Sequence, residues 1–264
     1  MKRSKRTDLN NRFLQRKAKS DSQYFSNKYL FKKLKKMITD DNTNPVQKRE
    51  SVKNDYNIIA NEYANEFGKE LEDIEVIEEF MSNLNSNSKI LDLGGWTGKL
   101  TNLFIQKWHE AICYDFSEKM MKKAKEFYQE IPYVLDDIIN IKEHFENSSF
   151  DGIIAFYSLF HIPKEEIDKV FSDIYDTLKQ NGLFCFVVQL GNWDDFIDEP
   201  YLKENGKKIL YFNFFTKEQI NKLLQKYNFE KIYEKEKEEI GENELEKSGN
   251  NKIFIIAKKS GSIA

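Results

Sequence analysis

Asp92, Gly94, Gly95 and Gly98 stand within seven residues of one another, directly after the apolar pair Ile90-Leu91. Glycines lack a Cβ atom, so a backbone rich in them can take positive φ and let a ligand approach closely. The apolar run that breaks into the glycine-rich turn immediately after Asp92 reads as a strand that delivers its end to a nucleotide-like ligand, and a helix starting near Thr97 would offer unpaired N–H groups there. A carboxylate at the mouth of the turn suits a ligand carrying an ammonium or hydroxyl groups and repels a bare pyrophosphate. The spacing Gly94-Gly95-Trp96-Thr97-Gly98 does not fit Gly-x-Gly-x-x-Gly, which disfavours a nicotinamide-dependent oxidoreductase.

A glycine turn alone is weak evidence, so the companion residues decide. Glu110–Asp115 reads as a second short strand ending in an acid, 23 residues after Asp92. A carboxylate in that place can accept both hydroxyls of a ribose. Ser117 then caps a helix through Met120, Met121 and Ala124. A third strand, Tyr133-Val134-Leu135, runs into Asp136-Asp137-Ile138. A fourth, Phe150–Tyr157, is followed by the loop Ser158-Leu159-Phe160-His161-Ile162-Pro163.

The run Asp92-Leu93-Gly94-Gly95-Trp96-Thr97-Gly98 resembles the Asp-x-Gly-x-Gly-x-Gly signature of the class I S-adenosylmethionine-dependent methyltransferases, with Trp96 where that family has its middle glycine. The resemblance implies that Asp92 with Gly94, Gly95 and Gly98 holds the methionine part of the cofactor. It assigns the ribose to Asp115, with Phe116 beside it, and the adenine to Asp137, with Ile138 packing on the ring. Phe156, at the end of strand four, completes the cofactor-facing set. Trp96 either covers the amino-acid end of the cofactor or blocks it.

The likeness resumes at Ser51 and runs to about Lys259. Asp55–Ala64 is similar to the Tyr-x-x-x-Ala-x-x-Tyr helix that precedes the glycine loop in many small-molecule members, and Tyr56 and Tyr63, seven apart, share one face. The family implies that Tyr63 faces the sulfonium or the substrate. Further strands at Gly182–Leu190, Lys231 to about Glu238 and Lys252–Lys259, with helices near Lys164–Lys179 and Thr216–Lys226, give a doubly wound α/β alternation. The resemblance supplies the rest: a Rossmann-like, mostly parallel seven-stranded sheet of order 3-2-1-4-5-7-6, the last strand antiparallel, with helices on both faces.

Charge divides the chain. Residues 1–50 hold 15 Lys and Arg against 5 Asp and Glu, while 51–264 hold 26 against 39, so a basic arm precedes an acidic domain. Asp21–Ile38 carries an aromatic and apolar face among its lysines and reads as a helix that packs on the acidic body as a fold element, covers the cofactor mouth, or docks on RNA or an anionic surface. Asp40–Pro45 reads as a linker. No apolar run nears the ~20 residues that span a membrane, and the start lacks a hydrophobic signal region, so a cytoplasmic protein without integral membrane association is expected. Cys113 and Cys185 lie in apolar strand patterns and read as free, buried thiols, and no metal site is expected.

Acceptor-side residues belong beyond the carboxyl ends of strands four and five. The loop Gly191–Tyr201 alternates aromatics with carboxylates, and Tyr211–Phe215 is strongly aromatic, a composition suited to an amine-bearing or cationic small molecule. His161 and Tyr157 are the candidate catalytic residues, His161 as acceptor of a proton from a hydroxyl or amine. The reading is methyl transfer to N or O of a small molecule. Two alternatives stand beside it: an RNA or protein methyltransferase docking through the arm, and a non-catalytic relative whose pocket Trp96 fills. The tetrapeptide Phe156-Tyr157-Ser158-Leu159 is unlike the Asn-Pro-Pro-Tyr of exocyclic base methylation. The oligomeric state is open.

Overall fold

In a computed structural model, the structure describes residues 44–68, 71, 73–198, 209–238 and 251–261. The expected arm helix at Asp21–Ile38 and the Asp40–Thr43 part of the linker lie outside the described residues.

The domain opens with helix α1, Pro45–Phe67, whose first residue is a proline needing no amide partner there. Its buried positions, Val52, Asp55, Ile59, Ala60 and Ala64, recur at helical spacing and turn one stripe inward. The helix takes up Pro45–Glu50, residues counted with the arm and linker in the sequence reading. Helix α2, Ile74–Ser82, follows and had no counterpart in that reading. The regular alternation then begins: β1 (Lys89–Leu93), α3 (Lys99–Gln106), β2 (Glu110–Asp115), α4 (Glu118–Phe127) and β3 (Tyr133–Leu135). Ser117 caps α4 by accepting from the Met120 amide, as its residue type predicts. A 3₁₀ turn at Ile138–Asn140 leads into the short α5 (Ile141–His144) and then β4 (Phe150–Ala155).

Strand β4 ends two residues earlier than expected, so Phe156 and Tyr157 leave the sheet, and Tyr157 takes φ +59°. A second 3₁₀ turn, Leu159–His161, precedes α6, which runs Ile167–Thr177 rather than Lys164–Lys179, and β5 (Leu178–Gln189). The segment after β5, expected as a loop, contains strand β6 (Asp194–Asp198). It pairs antiparallel with β7 (Ile209–Asn213) as a separate two-stranded ribbon. Helix α7 (Lys217–Lys226) begins with a capping box between Thr216 and Gln219, and β8 (Phe229–Glu238) and β9 (Asn251–Lys259) complete the chain of elements.

The seven strands lie in the order β3-β2-β1-β4-β5-β9-β8, parallel except for β9, which is antiparallel to both neighbours. This is the expected 3-2-1-4-5-7-6 order. Strands buried on both faces read as continuous apolar runs, and β5 shows why: Phe184, Phe186 and Val188 enter one core with α6 and α7, while Leu183, Cys185 and Val187 enter another with α2 and α3. A third cluster joins α1 to the ribbon through Val52, Ile59, Leu210, Tyr211 and Phe212. Both cysteines are buried and free, and burial raises both thiols well above the usual range. No helix among the described residues is long and apolar enough to cross a membrane.

Candidate active site

The glycine loop leaves the carboxyl end of β1, where the amides of Gly94 and Gly95 donate to the Tyr114 carbonyl at 2.7 and 3.1 Å. Gly94 and Gly98 hold φ of +72° and +73°. A Cβ on Gly94 would lie 2.4 Å from Ser158 Cβ, and one on Gly98 2.3 Å from Ile131 Cδ1. These two glycines are therefore fixed by the protein's own packing as well as by backbone conformation. Trp96, between them, adopts φ +54° with no such freedom.

Asp92 is 2% exposed, and its Oδ2 accepts from the Thr101 amide (3.1 Å) and the Thr101 hydroxyl (2.7 Å). It ties β1 to α3. Burial pushes its carboxyl up to about 6 against the pull of the Thr101 hydrogen bonds, and the charge of Asp115 adds to the rise.

Asp115, at the end of β2, also climbs to about 6 through burial, opposed by backbone amides. Its Oδ1 accepts from the Ser117 amide at 2.8 Å and its Oδ2 from the Trp96 amide at 3.0 Å. A carboxylate has about four lone-pair directions, so oxygens that each take one amide keep capacity for hydroxyl donors.

Asp137 caps the 3₁₀ turn by accepting from the Ile139 amide, and its Oδ2 accepts from Arg49 of α1. The same guanidinium donates to Glu166 through Nε at 2.6 Å and Nη2 at 3.2 Å. Flanked by two carboxylates, Arg49 is held even more firmly charged than usual despite its burial.

His161 is 6% exposed at the end of the second 3₁₀ turn. Its Nδ1 lies 2.7 Å from the Tyr211 carbonyl, which can only accept, so Nδ1 carries the proton and donates. Nε2 is then the lone pair, 2.8 Å from the Tyr56 hydroxyl, which donates to it. Burial lowers the imidazole to about 4, with the Tyr211 carbonyl pulling the other way, so it is neutral at pH 7. Phe160 and Phe212 flank it at 4.6 and 4.8 Å between ring centres.

Tyr63 lies 6.2 Å from Tyr56, 4.9 Å from Phe67 and 5.1 Å from Trp96. Phe116 and Tyr157 join Tyr56, Tyr63 and Trp96 at the margin of the third cluster.

The structure thus gathers His161, Tyr63, Trp96, Phe116 and Tyr157 around one cluster, with Asp115 bonded to the Trp96 amide. It does not gather all the expected residues. Ile138 packs in the main core beside Leu91 and Tyr114, and Phe156 packs on Phe254 in the second core. The Tyr157 hydroxyl donates to Asp73, ahead of α2, and Lys252 sits 4.7 Å over its ring. Two residues outside the expected set, Arg49 and Tyr56, take places in it. Tyr56 was legible as a face-mate of Tyr63, but Arg49 was counted with the basic arm and carried no signal of its own.

A family model for the methyltransferase domain matches residues 65–234. A carboxy-S-adenosyl-L-methionine synthase of Nautilia profundicola is 30% identical over 123 residues, 44% of this chain and 50% of that protein. The phosphoethanolamine N-methyltransferase of Plasmodium falciparum is 26% identical over 162 residues, 58% of each. The matched region thus spans little more than half the length of these curated relatives. Among solved structures, Burkholderia thailandensis 1,6-didemethyltoxoflavin-N1-methyltransferase, with 1,6-didemethyltoxoflavin and S-adenosylhomocysteine bound, superposes with a TM-score of 0.62 at 15% identity, covering 83% of this chain and 91% of that one. The chain belongs to the class I S-adenosylmethionine-dependent methyltransferases.

Proposed function

We propose that this class I methyltransferase transfers a methyl group to an amine or hydroxyl of a small molecule, and that the Tyr56–His161 pair handles the acceptor's proton. The observation that carries the reading is the pair itself: a buried, neutral imidazole with Nδ1–H donated to the Tyr211 carbonyl and Nε2 receiving the Tyr56 hydroxyl. Bound S-adenosylmethionine supplies a methyl already activated by its sulfonium, so the protein's task is alignment, exclusion of water and disposal of one proton.

The residues present suit that cofactor. Asp115 offers spare lone pairs to a ribose diol, and the buried Trp96 Nε1–H has no acceptor among the described residues. Asp92, Gly94, Gly95 and Gly98 shape the turn at the methionine end. Asp137 is the acid for the adenine amino group, with Arg49 fixing its carboxylate, while Ile138 and Phe156 support the site from the cores behind it. Tyr63 and Phe116 form apolar walls.

An acceptor N–H or O–H directed at the Tyr56 oxygen gives its proton to that oxygen as the phenolic proton passes to His161 Nε2. The imidazole then carries the charge, stabilised by its Nδ1–H bond to Tyr211. At about 4 the free imidazole is a weak base, so the pair acts as a relay that orients the nucleophile rather than as a standing charge. The aromatic walls Tyr56, Tyr63, Phe160 and Phe212 favour an amine-bearing acceptor through cation–π attraction. The relative named for phosphoethanolamine, itself an amine, supports the same class.

Calorimetric titration with S-adenosylmethionine and S-adenosylhomocysteine tests the cofactor half, with Asp115→Ala as the control expected to lose binding. A panel of small amines and phenols, scored by S-adenosylhomocysteine release, tests the acceptor half. Turnover on RNA alone, lost on deleting residues 1–43, would replace the small-molecule reading with docking through the arm.

A further inference from the structure

Trp96 combines two costs at one residue. Its φ of +54° is a conformation that bulky side chains avoid, and its Nε1–H is buried without an acceptor among the described residues. Both are unfavourable in a folded protein unless something compensates them. A side chain serving only to fill the pocket would have no reason to keep its one polar atom buried and unpaired. Phenylalanine would fill the space without that penalty.

The surroundings indicate what acceptor is awaited. Lys99 Nζ stands 4.9 Å from the indole ring centre, and it donates to the Phe67 carbonyl at 3.0 Å, so the ammonium is held beside the indole. Tyr63 packs on the indole from α1 at 5.1 Å. The Trp96 backbone amide is already committed to Asp115, the acid for the ribose diol, so the indole addresses a different part of the same ligand. A neutral N–H next to an ammonium favours an anionic acceptor, and S-adenosylmethionine carries one anion, the carboxylate of its amino-acid end.

We infer that the indole N–H of Trp96 donates to the carboxylate of the cofactor's amino-acid end, with Lys99 supplying the neighbouring positive charge. The inference rests on the cofactor reading above and reverses the view of Trp96 as a plug: the residue that departs from the family's glycine is a specificity element for the intact amino-acid moiety.

Trp96→Phe keeps an aromatic ring and the same backbone strain while removing the N–H. Calorimetry on the full chain compares S-adenosylhomocysteine with 5′-methylthioadenosine, which retains adenosine and thioether but lacks the amino acid. Expected is a loss of about tenfold or more in S-adenosylhomocysteine affinity, with 5′-methylthioadenosine unchanged within twofold. Circular dichroism and an unaltered 5′-methylthioadenosine affinity establish that the variant is folded. Equal S-adenosylhomocysteine affinity in both proteins overturns the inference while leaving the cofactor reading intact, as does an equal loss for both ligands, which would place the donor on the nucleoside. Wild-type protein that binds neither ligand refutes the cofactor reading itself. Binding gained only on Trp96→Phe or Trp96→Gly would establish the plug.

Discussion

With the ribose held by Asp115, as proposed, cofactor affinity depends on pH in a calculable way. The Asp115 carboxyl stands at about 6 in the unliganded fold because burial penalises the charged form more than the backbone amides of Ser117 and Trp96 compensate. The rise from the ordinary 3.8 corresponds to roughly 3 kcal/mol. Because the folded value is raised, that stability is present below about 3.8 and is lost as pH rises through about 6. Ribose hydroxyls donating to the carboxylate favour its charged form and draw the value back down. Ligand must then displace a proton at pH 5, one unit below the free value, but not at pH 7. S-adenosylhomocysteine should bind about tenfold more weakly at pH 5 than at pH 7, releasing close to one proton per ligand at the lower pH. Calorimetry in buffers of different ionisation enthalpy reads both quantities. Asp115→Asn should abolish the difference between the two pH values, while Asp92, whose carboxyl the Asp115 charge helps to raise and whose Oδ2 Thr101 occupies, should titrate lower in the variant than in the wild type. Equal affinity at pH 5 and 7 with no dependence on buffer would refute the assignment of the ribose to Asp115.

Three further outcomes follow from the site. Tyr56→Phe keeps the ring against Tyr63 and His161 but cuts the relay, so turnover should fall by roughly 10²-fold with S-adenosylhomocysteine affinity unchanged; initial rates and calorimetry check both. Arg49→Met leaves Asp137 and Glu166 facing each other without their shared cation, and both carboxylates are part-exposed, so a loss of about 2 kcal/mol in urea unfolding is expected rather than the full cost of a buried pair. Gly94→Ala forces a side chain to φ +72° with its Cβ 2.4 Å from that of Ser158, and a destabilisation of about 3 kcal/mol should appear as a Tm roughly 10 °C lower in calorimetric scans.

The sheet was legible because parallel strands buried on both faces leave unbroken apolar runs that end in characteristic acids and glycines. Asp92, Asp115 and Asp137 each sit where such a run stops. The ribbon was not legible. Asp194-Asp195-Phe196-Ile197-Asp198 lacks strict alternation because one side of the strand carries both an acid and an aromatic against Tyr211: Asp194 meets Lys164 at 2.8 Å and the Tyr211 hydroxyl at 3.0 Å, while Phe196 packs on the Tyr211 ring. The resemblance set Ile138 on the adenine ring and Phe156 in the cofactor-facing set, yet both fall among core side chains. Family resemblance carries a residue's place in the chain, not the direction its side chain turns. His161 could be nominated from its type and loop, but its partner is 105 residues away and its Nδ1 acceptor 50 away, separations that leave no local trace.

Helix α1 explains how such distant residues come to form one site. Arg49, Tyr56 and Tyr63 are spaced by seven, so they fall on one stripe with a rise of about 10 Å between successive members. Each member of the stripe engages a different part of the sheet's carboxyl edge: Arg49 the acid that follows β3, Tyr56 the histidine that follows β4, and Tyr63 the indole that follows β1. Asn57, one residue off the stripe, accepts from the Ser117 hydroxyl at 2.8 Å after β2. One rigid element therefore sets Asp137, the Tyr56–His161 pair and the glycine loop in register. Three loops positioned independently would each carry their own conformational freedom, and their errors would add at the point of methyl transfer, where sub-ångström alignment governs rate. A helix fixes the spacings by its backbone geometry instead. On the proposed reading, entry of the cofactor gives a partner to the Trp96 indole N–H, which has none among the described residues, and draws the Asp115 carboxyl toward its charged form.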